Sequence, residues 1–384
     1  MDLIIRALQL IGYWSHPDRS FRAIQAVCLI AVVLIWVIIP ELAFIMRHEP
    51  NFGIIVRNLV EMLIIGMVVP QGSIALCFRP LLEKTYSEVG SILDKVSTDP
   101  HRDVQRVIKQ LKMFSEWIFK GYIGAEVLVA LPYFLSIPVT TIVKYCSTGV
   151  LPTLRGVFET DYLLFDPQAN IWLWMMTVIA NIAVMAYVIL FFVSSHCLFW
   201  SLLRNVSGLF KIISMKIGRL DEIVEDVQRH EELIEIVGLH EAAYRGARAL
   251  EKSLNIFMLI LYGMCILNIC LTMVALSLPN SDRDLLHKMT VVMVYILFHI
   301  LVYSLLGTEL MCASIATSEA FYKSQWYMRA VQEQRTILFA LARSQRMAAL
   351  TTGKFFYVSR TTFGMALRSA MSYFAVLRQV YGAQ

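Results

Sequence analysis

Six stretches of this chain contain no Asp, Glu, Lys or Arg, and no other feature limits its fold as strongly. They run from Ala23 to Pro40, Met62 to Phe78, Val127 to Val143, Pro167 to Leu203, Ser253 to Ser281 and Met289 to Thr308. A helix crosses the roughly 30 Å of membrane hydrocarbon with about 20 mostly apolar residues, so each stretch is read as the core of a span. Composition agrees: 58% of the residues are hydrophobic and 16% charged, against about 45–50% and about 25% in a soluble domain. The runs are long and continuous, whereas membrane barrel strands alternate in segments of about ten residues. The expectation is an all-α membrane protein. The first run is too long for the apolar part of a signal peptide and is expected to remain as the first span. The net charge of +5 is too small and too dispersed to suggest nucleic acid.

Where the positive charges fall sets the orientation, because Lys and Arg of short loops stay on the cytoplasmic side. With the N-terminus inside, residues 1–22, 79–120, 204–252 and 323–346 hold 24 of them. The intervening loops hold five: Arg47, Lys144, Arg155, Arg283 and Lys288. A G-protein-coupled receptor has its N-terminus outside, which would put those 24 charges on the wrong face. That class is excluded.

The last sixty residues are less plain, since Arg343, Arg346, Lys354, Arg360 and Arg368 interrupt them. Phe355, Phe356, Phe363, Leu367, Met371, Phe374 and Leu377 recur at helical spacing, with Thr361, Arg368, Ser372 and Gln379 on another side. Such a helix suits a bundle interior or a water-filled path; the alternative is an amphipathic helix on the cytoplasmic surface. Gly353 beside Lys354 predicts a break between two half-helices.

These residues also carry a resemblance. Ala320-Phe-Tyr-Lys-Ser-Gln-Trp326-Tyr327, Leu341-Ala-Arg343-Ser-Gln345, Gly353-Lys-Phe-Phe356, Thr362-Phe363 and Ser372-Tyr373-Phe374-Ala-Val-Leu377-Arg follow one another as in the C-terminal signature of insect odorant receptors. The resemblance implies seven transmembrane helices with a cytoplasmic N-terminus and an extracellular C-terminus. It implies that the last helix is split into a cytoplasmic half, S7a, and a pore-lining half, S7b. It further implies a subunit of a heterotetrameric, odorant-gated, non-selective cation channel in the plasma membrane of olfactory sensory neurons. The shared co-receptor of that family carries an extra cytoplasmic insertion for which residues 204–252 leave no room, so the chain is similar to a variable, odorant-tuning subunit. Its division is then 1–22, a cytoplasmic segment; 23–318, six spans with cytoplasmic extensions; 319–352, the S7a assembly region; and 353–384, S7b with the extracellular C-terminus. A gustatory-type channel subunit is the alternative within the same architecture. Against it, Arg378 and Val380 depart from the gustatory ending. A secondary transporter is a further alternative, but the chain has no internal repeat of the kind such folds show.

Through the family's motif the narrowest outer pore position falls on Val376, with Gln379 and Val380 beyond it, and helical spacing puts Ser372 on the same face. A valine ring can gate by dewetting. Arg378 is expected either to point away from the ion path or to be diluted by the co-receptor subunits. Assembly faces are expected around Phe321, Trp326, Tyr327, Leu338 and Leu341. The ligand is a small volatile molecule, so its pocket needs shape and few polar groups. By resemblance it lies among the outer halves of the second, third, fourth and sixth spans. Candidates are Glu61 and Ile65; Tyr133, Phe134 and Ile137; Trp172, Met175, Met176 and Ile179; and Tyr295 and His299. Glu61 is costly to bury and is expected to pair with Arg57. His299, polar within a charge-free run, is expected either to meet an odorant heteroatom or to satisfy a neighbouring group.

No catalytic, metal-binding or phosphate-binding pattern emerges, and no enzyme activity or cofactor is expected. His196-Cys197 has no second pair at metal spacing and is expected to be packing. Cys146 and Cys270 are the one conceivable disulfide pair. The Asn205-Val206-Ser207 triplet falls on the cytoplasmic side, where glycosylation does not occur.

Overall fold

A computed structural model describes residues 2–15, 22–48, 52–149, 154, 156, 158–277 and 283–381. After a short α1 (Asp2–Leu10), the first span runs through α2 (Arg22–Val33), a π turn (Leu34–Ile38) and α3 (Ile39–His48). Pro40 has no amide to offer the carbonyl of Trp36, and the ladder shifts there to a five-residue step, Ile39 donating to Leu34, as inserted prolines commonly force. The second span breaks for the same reason. α4 (Phe52–Gly66) stops at the residue whose carbonyl the Pro70 ring would strike, and α5 (Val68–Cys77) resumes after Met67.

α6 (Arg79–Val96) lies on the inner side and leads into four long helices: α7 (Arg102–Thr148), α8 (Ile171–Arg219), α9 (Asp226–Ser277) and α10 (Arg283–Lys323). At 1.5 Å per residue these reach roughly 60–80 Å, twice a bilayer, so each carries a cytoplasmic extension. Among the described residues, six helical stretches are long and apolar enough to cross a membrane. α11 (Val331–Ser344), a hairpin of β1 (Thr351–Thr352) and β2 (Phe356–Tyr357), and α12 (Arg360–Tyr381) complete the chain. α12 is about 33 Å long and makes the seventh span. Ser359 caps it, its Oγ accepting the Thr362 amide at 3.2 Å.

The core sits around the inner half of α8. Every residue from Phe191 to Leu203 is buried, as expected of a helix apolar all round. The outer halves of α7 and α8 are far more exposed, including Leu128, Leu131, Trp172 and Met176. Asn205, Val206 and Ser207 are all buried in the α8 core.

Beyond the charge-free runs, ion pairs tie the cytoplasmic extensions together. Glu309 receives both Arg204 and Lys211. Lys216, 7% exposed, reaches Asp99 at 3.2 Å, Glu232 at 2.8 Å and Glu235 at 3.4 Å. Burial alone would push the Asp99 carboxyl up, but the His101 amide and ring and the Lys216 ammonium outweigh it and hold it below the usual carboxylate range. Burial pulls Lys216 down, and Glu232, Glu235 and Asp99 more than reverse it. His240 on α9 is buried against Tyr244 and Phe321; burial and the nearby Arg343 cation lower its pKa to about 4.

The break at Gly353 and Lys354 is a hairpin turn, with φ of +57° and +66° at the two residues. Successive left-handed residues are what a tight hairpin requires. The hairpin is held from three sides. The Gly353 amide donates to the Asn255 carbonyl at 2.9 Å, Thr351 donates from its amide to Glu251 at 2.8 Å, and the Arg360 amide donates to Thr308 Oγ1 at 3.0 Å. A side chain at Gly307 would come within 2.3 Å of the Val358 carbonyl oxygen, so only glycine lets α10 run so close to the start of α12.

Candidate functional site

Between α4, α5, α8, α9 and α10 lies a largely apolar cavity of about 40 Å³. α4 supplies Ile64 and α5 Gln71, with Met67 between them; α8 supplies Phe192 and His196. α9 contributes Leu261, Met264, Cys265 and Asn268, and α10 contributes Tyr295, Ile296 and His299. Two sequence candidates, Tyr295 and His299, are thus brought to one wall, deeper than the outer-half positions expected from the resemblance.

The polar groups around it form a directed network. His299 Nδ1 lies 2.9 Å from the Tyr295 carbonyl, an acceptor only, so this nitrogen carries the proton. Nε2 then accepts from Tyr122 Oη at 2.5 Å. Both ring nitrogens have partners within the chain. Tyr122 and Tyr295 lie 3.4 Å apart, and the Glu126 carboxyl group hydrogen-bonds to both, donating to Tyr122, whose own proton goes to His299, and accepting from Tyr295. His196, stacked between Phe192 and Trp200, meets Tyr303 Oη at 2.8 Å. Gln71 Nε2 donates to Ser195 Oγ at 2.6 Å, and Asn268 Nδ2 donates to the Met264 carbonyl at 3.1 Å.

The other candidates lie elsewhere. Glu61 is buried 3.8 Å from Arg57, which also reaches Glu159 of the outer loop at 3.1 Å. Ile65 is buried in the main core. Phe134 packs edge-on against Phe158 at 5.8 Å, and Ile137 is half-buried. Trp172, Met175, Met176 and Ile179 are exposed near the outer end of α8. The side chain of Tyr133 lies outside the described set. Among residues the sequence argument passed over, Glu126 stands one position before the charge-free run that begins at Val127. Gln71 and Asn268 are polar but uncharged, so the charge-free runs conceal them; His196, expected to be packing, is buried and also meets Tyr303.

On α12, Ala366 and Ala370 are buried, Ala370 accepting from the Cys270 thiol at 3.5 Å. Ser372, Val376 and Gln379 are exposed. The side chains of Arg378 and Val380 lie outside the described set. On the cytoplasmic side Tyr327 and Leu338 are exposed, Trp326 and Leu341 half-buried, and Phe321 buried against His240 of its own chain. All seven cysteines are free, Cys146 and Cys270 included. No group of three His, Cys, Asp or Glu arranged to hold a metal occurs among the described residues.

Comparison with known proteins adds to this geometry. The insect olfactory receptor OR5 from Machilis hrabei, solved in complex with eugenol, superposes with a TM-score of 0.81 over 99% of this chain and 97% of its own, at 17% identity. That likeness shows the fold, a seven-span helical one. The odorant receptor coreceptor of Aedes aegypti is 25% identical over 156 residues, 40% of this chain and 30% of that one. Odorant receptor 9a of Drosophila melanogaster is 27% identical over 176 residues, 45% of this chain and 44% of that one. These alignments span less than half the length of either relative. A family model described as 7tm Odorant receptor matches residues 79–371, which takes in the cavity's α8–α10 walls, the hairpin and half of α12. The chain is therefore a multi-pass membrane protein of the 7tm odorant receptor family, a family of receptors and not of enzymes.

Proposed function

We propose that this chain is the odorant-binding, tuning subunit of a heterotetrameric, odorant-gated, non-selective cation channel that it forms with a shared co-receptor. The observation that carries this is the two-sidedness of α12. Its small buried residues Ala366 and Ala370 pack inward, while Ser372, Val376 and Gln379 stand exposed on the opposite side. A polar stripe on a membrane helix is costly in lipid, and gathering several such helices around a shared axis removes it from lipid and lines a wet path. Val376 is then the narrowest ring, flanked by Ser372 and Gln379, with Val380 continuing outward. The exposed Tyr327 and Leu338 supply inter-subunit contact below, together with the half-buried Trp326 and Leu341.

One fact supports tuning over the co-receptor role. Only six residues separate α8, which ends at Arg219, from α9, which starts at Asp226, so no long insertion interrupts them. The cavity beside Tyr295 and His299 is the odorant site. Bound odorant repacks α8 and α10 against α9, which carries the hairpin and α12, and the Val376 ring widens. Patch-clamp recording from cells expressing the chain with and without a co-receptor tests the proposal. Odorant-evoked, cation-selective current that requires both chains is expected; current from the chain alone would contradict the tuning role.

A further inference from the structure

The cavity is apolar except for a few groups whose hydrogen bonds can be counted, and two of them are incomplete. Gln71 is 1% and Asn268 2% exposed, yet no donor among the described residues reaches Gln71 Oε1 or Asn268 Oδ1. Both residues line the cavity, one from α5 and one from α9. The amide orientations are not interchangeable. The Ser195 hydroxyl proton serves the Phe191 carbonyl at 2.7 Å, which leaves its oxygen to accept from Gln71; a flipped Gln71 would have to draw that proton away from the carbonyl. A flipped Asn268 would face the Met264 carbonyl with its own oxygen. Each amide is therefore pinned by its nitrogen and presents its acceptor as the unfinished half.

Most candidate donors on the same walls are committed, and the Cys265 thiol, which also lines the cavity, is a weak one. Both nitrogens of His299 are used within the chain, Tyr122 donates to His299, and Tyr295 hydrogen-bonds to Glu126. Buried carbonyl oxygens are satisfied by something; no side chain among the described residues does so here, and a molecule inside the cavity, water or a guest that displaces it, can. The two long thioethers of Met67 and Met264 are unbranched and adaptable, which lets this tight space widen around a guest.

From this geometry we infer that the cavity selects odorants carrying a hydrogen-bond donor, alcohols or phenols, over ethers, esters and ketones of the same size. The inference rests on the cavity being the odorant site. A hydroxyl entering here completes an amide, whereas an acceptor-only odorant leaves both oxygens unpaired in a desolvated site. Such an unpaired buried acceptor is the kind of loss that discriminates strongly between otherwise similar ligands.

The test is a concentration–response series on cells co-expressing the chain and a co-receptor, using matched pairs that differ by one methyl cap. Suitable pairs are para-cresol and its methyl ether, benzyl alcohol and its methyl ether, and geraniol and its methyl ether. The hydroxyl member of each active pair is expected to act at a concentration lower by about tenfold or more, a factor that corresponds to roughly 1.4 kcal/mol. In Gln71→Met combined with Asn268→Leu, which keep volume and remove both acceptors, the ratio of potencies within each pair should fall towards one. The wild-type comparison needs no variant, so a misfolded mutant cannot rescue the idea. Equal potency within the pairs, or a gap that survives the double substitution at normal surface expression, overturns the donor assignment alone. Absence of current to every compound from surface-expressed wild type overturns the underlying channel reading, and this inference with it.

Discussion

Single residues decide how closely the parts of this receptor approach. Gly307 is the sharpest case: any Cβ there meets a backbone oxygen, which cannot swing aside as a side-chain tip can. Gly307→Ala is expected to destabilise the detergent-solubilised receptor by about 2 kcal/mol or more, read as a lower melting temperature. Gly263→Ala, where the added methyl touches nothing, should leave it unchanged or slightly raised. His240 makes a pH-dependent contribution. It is 4% exposed and held neutral, with a pKa near 4 in the folded chain against about 6.5 unfolded. The unfolded chain therefore takes up this proton first as pH falls, and stability declines between about pH 6.5 and 4, by at most about 3 kcal/mol. A thermal-melt series over that range should show the decline in wild type and a flatter curve in His240→Leu. An identical slope in both would remove His240 from the account.

At the scale of elements, the cytoplasmic ends of α8 and α9 are joined through Lys216 and its carboxylates. Lys216→Met leaves Asp99, 9% exposed, beside Glu232 and Glu235 without their shared cation. Glu232 and Glu235 still reach water, so the expected cost is about 2 kcal/mol, less than for a fully buried pair. In wild type the Asp99 contribution is complete above about pH 4, its unfolded value, and lost below its lower folded value; the Lys216 contribution is lost only at strongly alkaline pH. The spans themselves were legible in the sequence because lipid imposes a simple rule on side-chain charge, and a break at Gly353 was legible because glycine ends a helix; the hairpin was not, since Phe355 and Phe356, which read as helical, lie in its turn and second strand. Nor was the cavity. Which face of a helix turns inward depends on packing partners, and Trp172 and Met176 satisfy the same local pattern as residues that line the cavity. Glu126 shows the matching weakness: a carboxylate at the edge of an apolar run looks like a boundary until the fold places two tyrosines over it.

For the whole molecule, asymmetry of charge and two-sidedness of α12 make one connected claim. The charge bias puts the N-terminus inside, seven crossings put the C-terminus outside, and in the proposed channel the exposed stripe of α12 faces other subunits and not lipid. An epitope tag after Gln384 should be labelled on intact cells; staining only after permeabilisation would remove α12 as a span. The most direct measurement is thiol block of Val376→Cys, co-expressed with a co-receptor and opened by an effective odorant. A membrane-impermeant thiol reagent applied from outside should suppress the odorant-evoked current in the variant and spare wild type. Unchanged current in a variant whose cysteine is shown to be labelled would place Val376 away from the ion path and contradict the account.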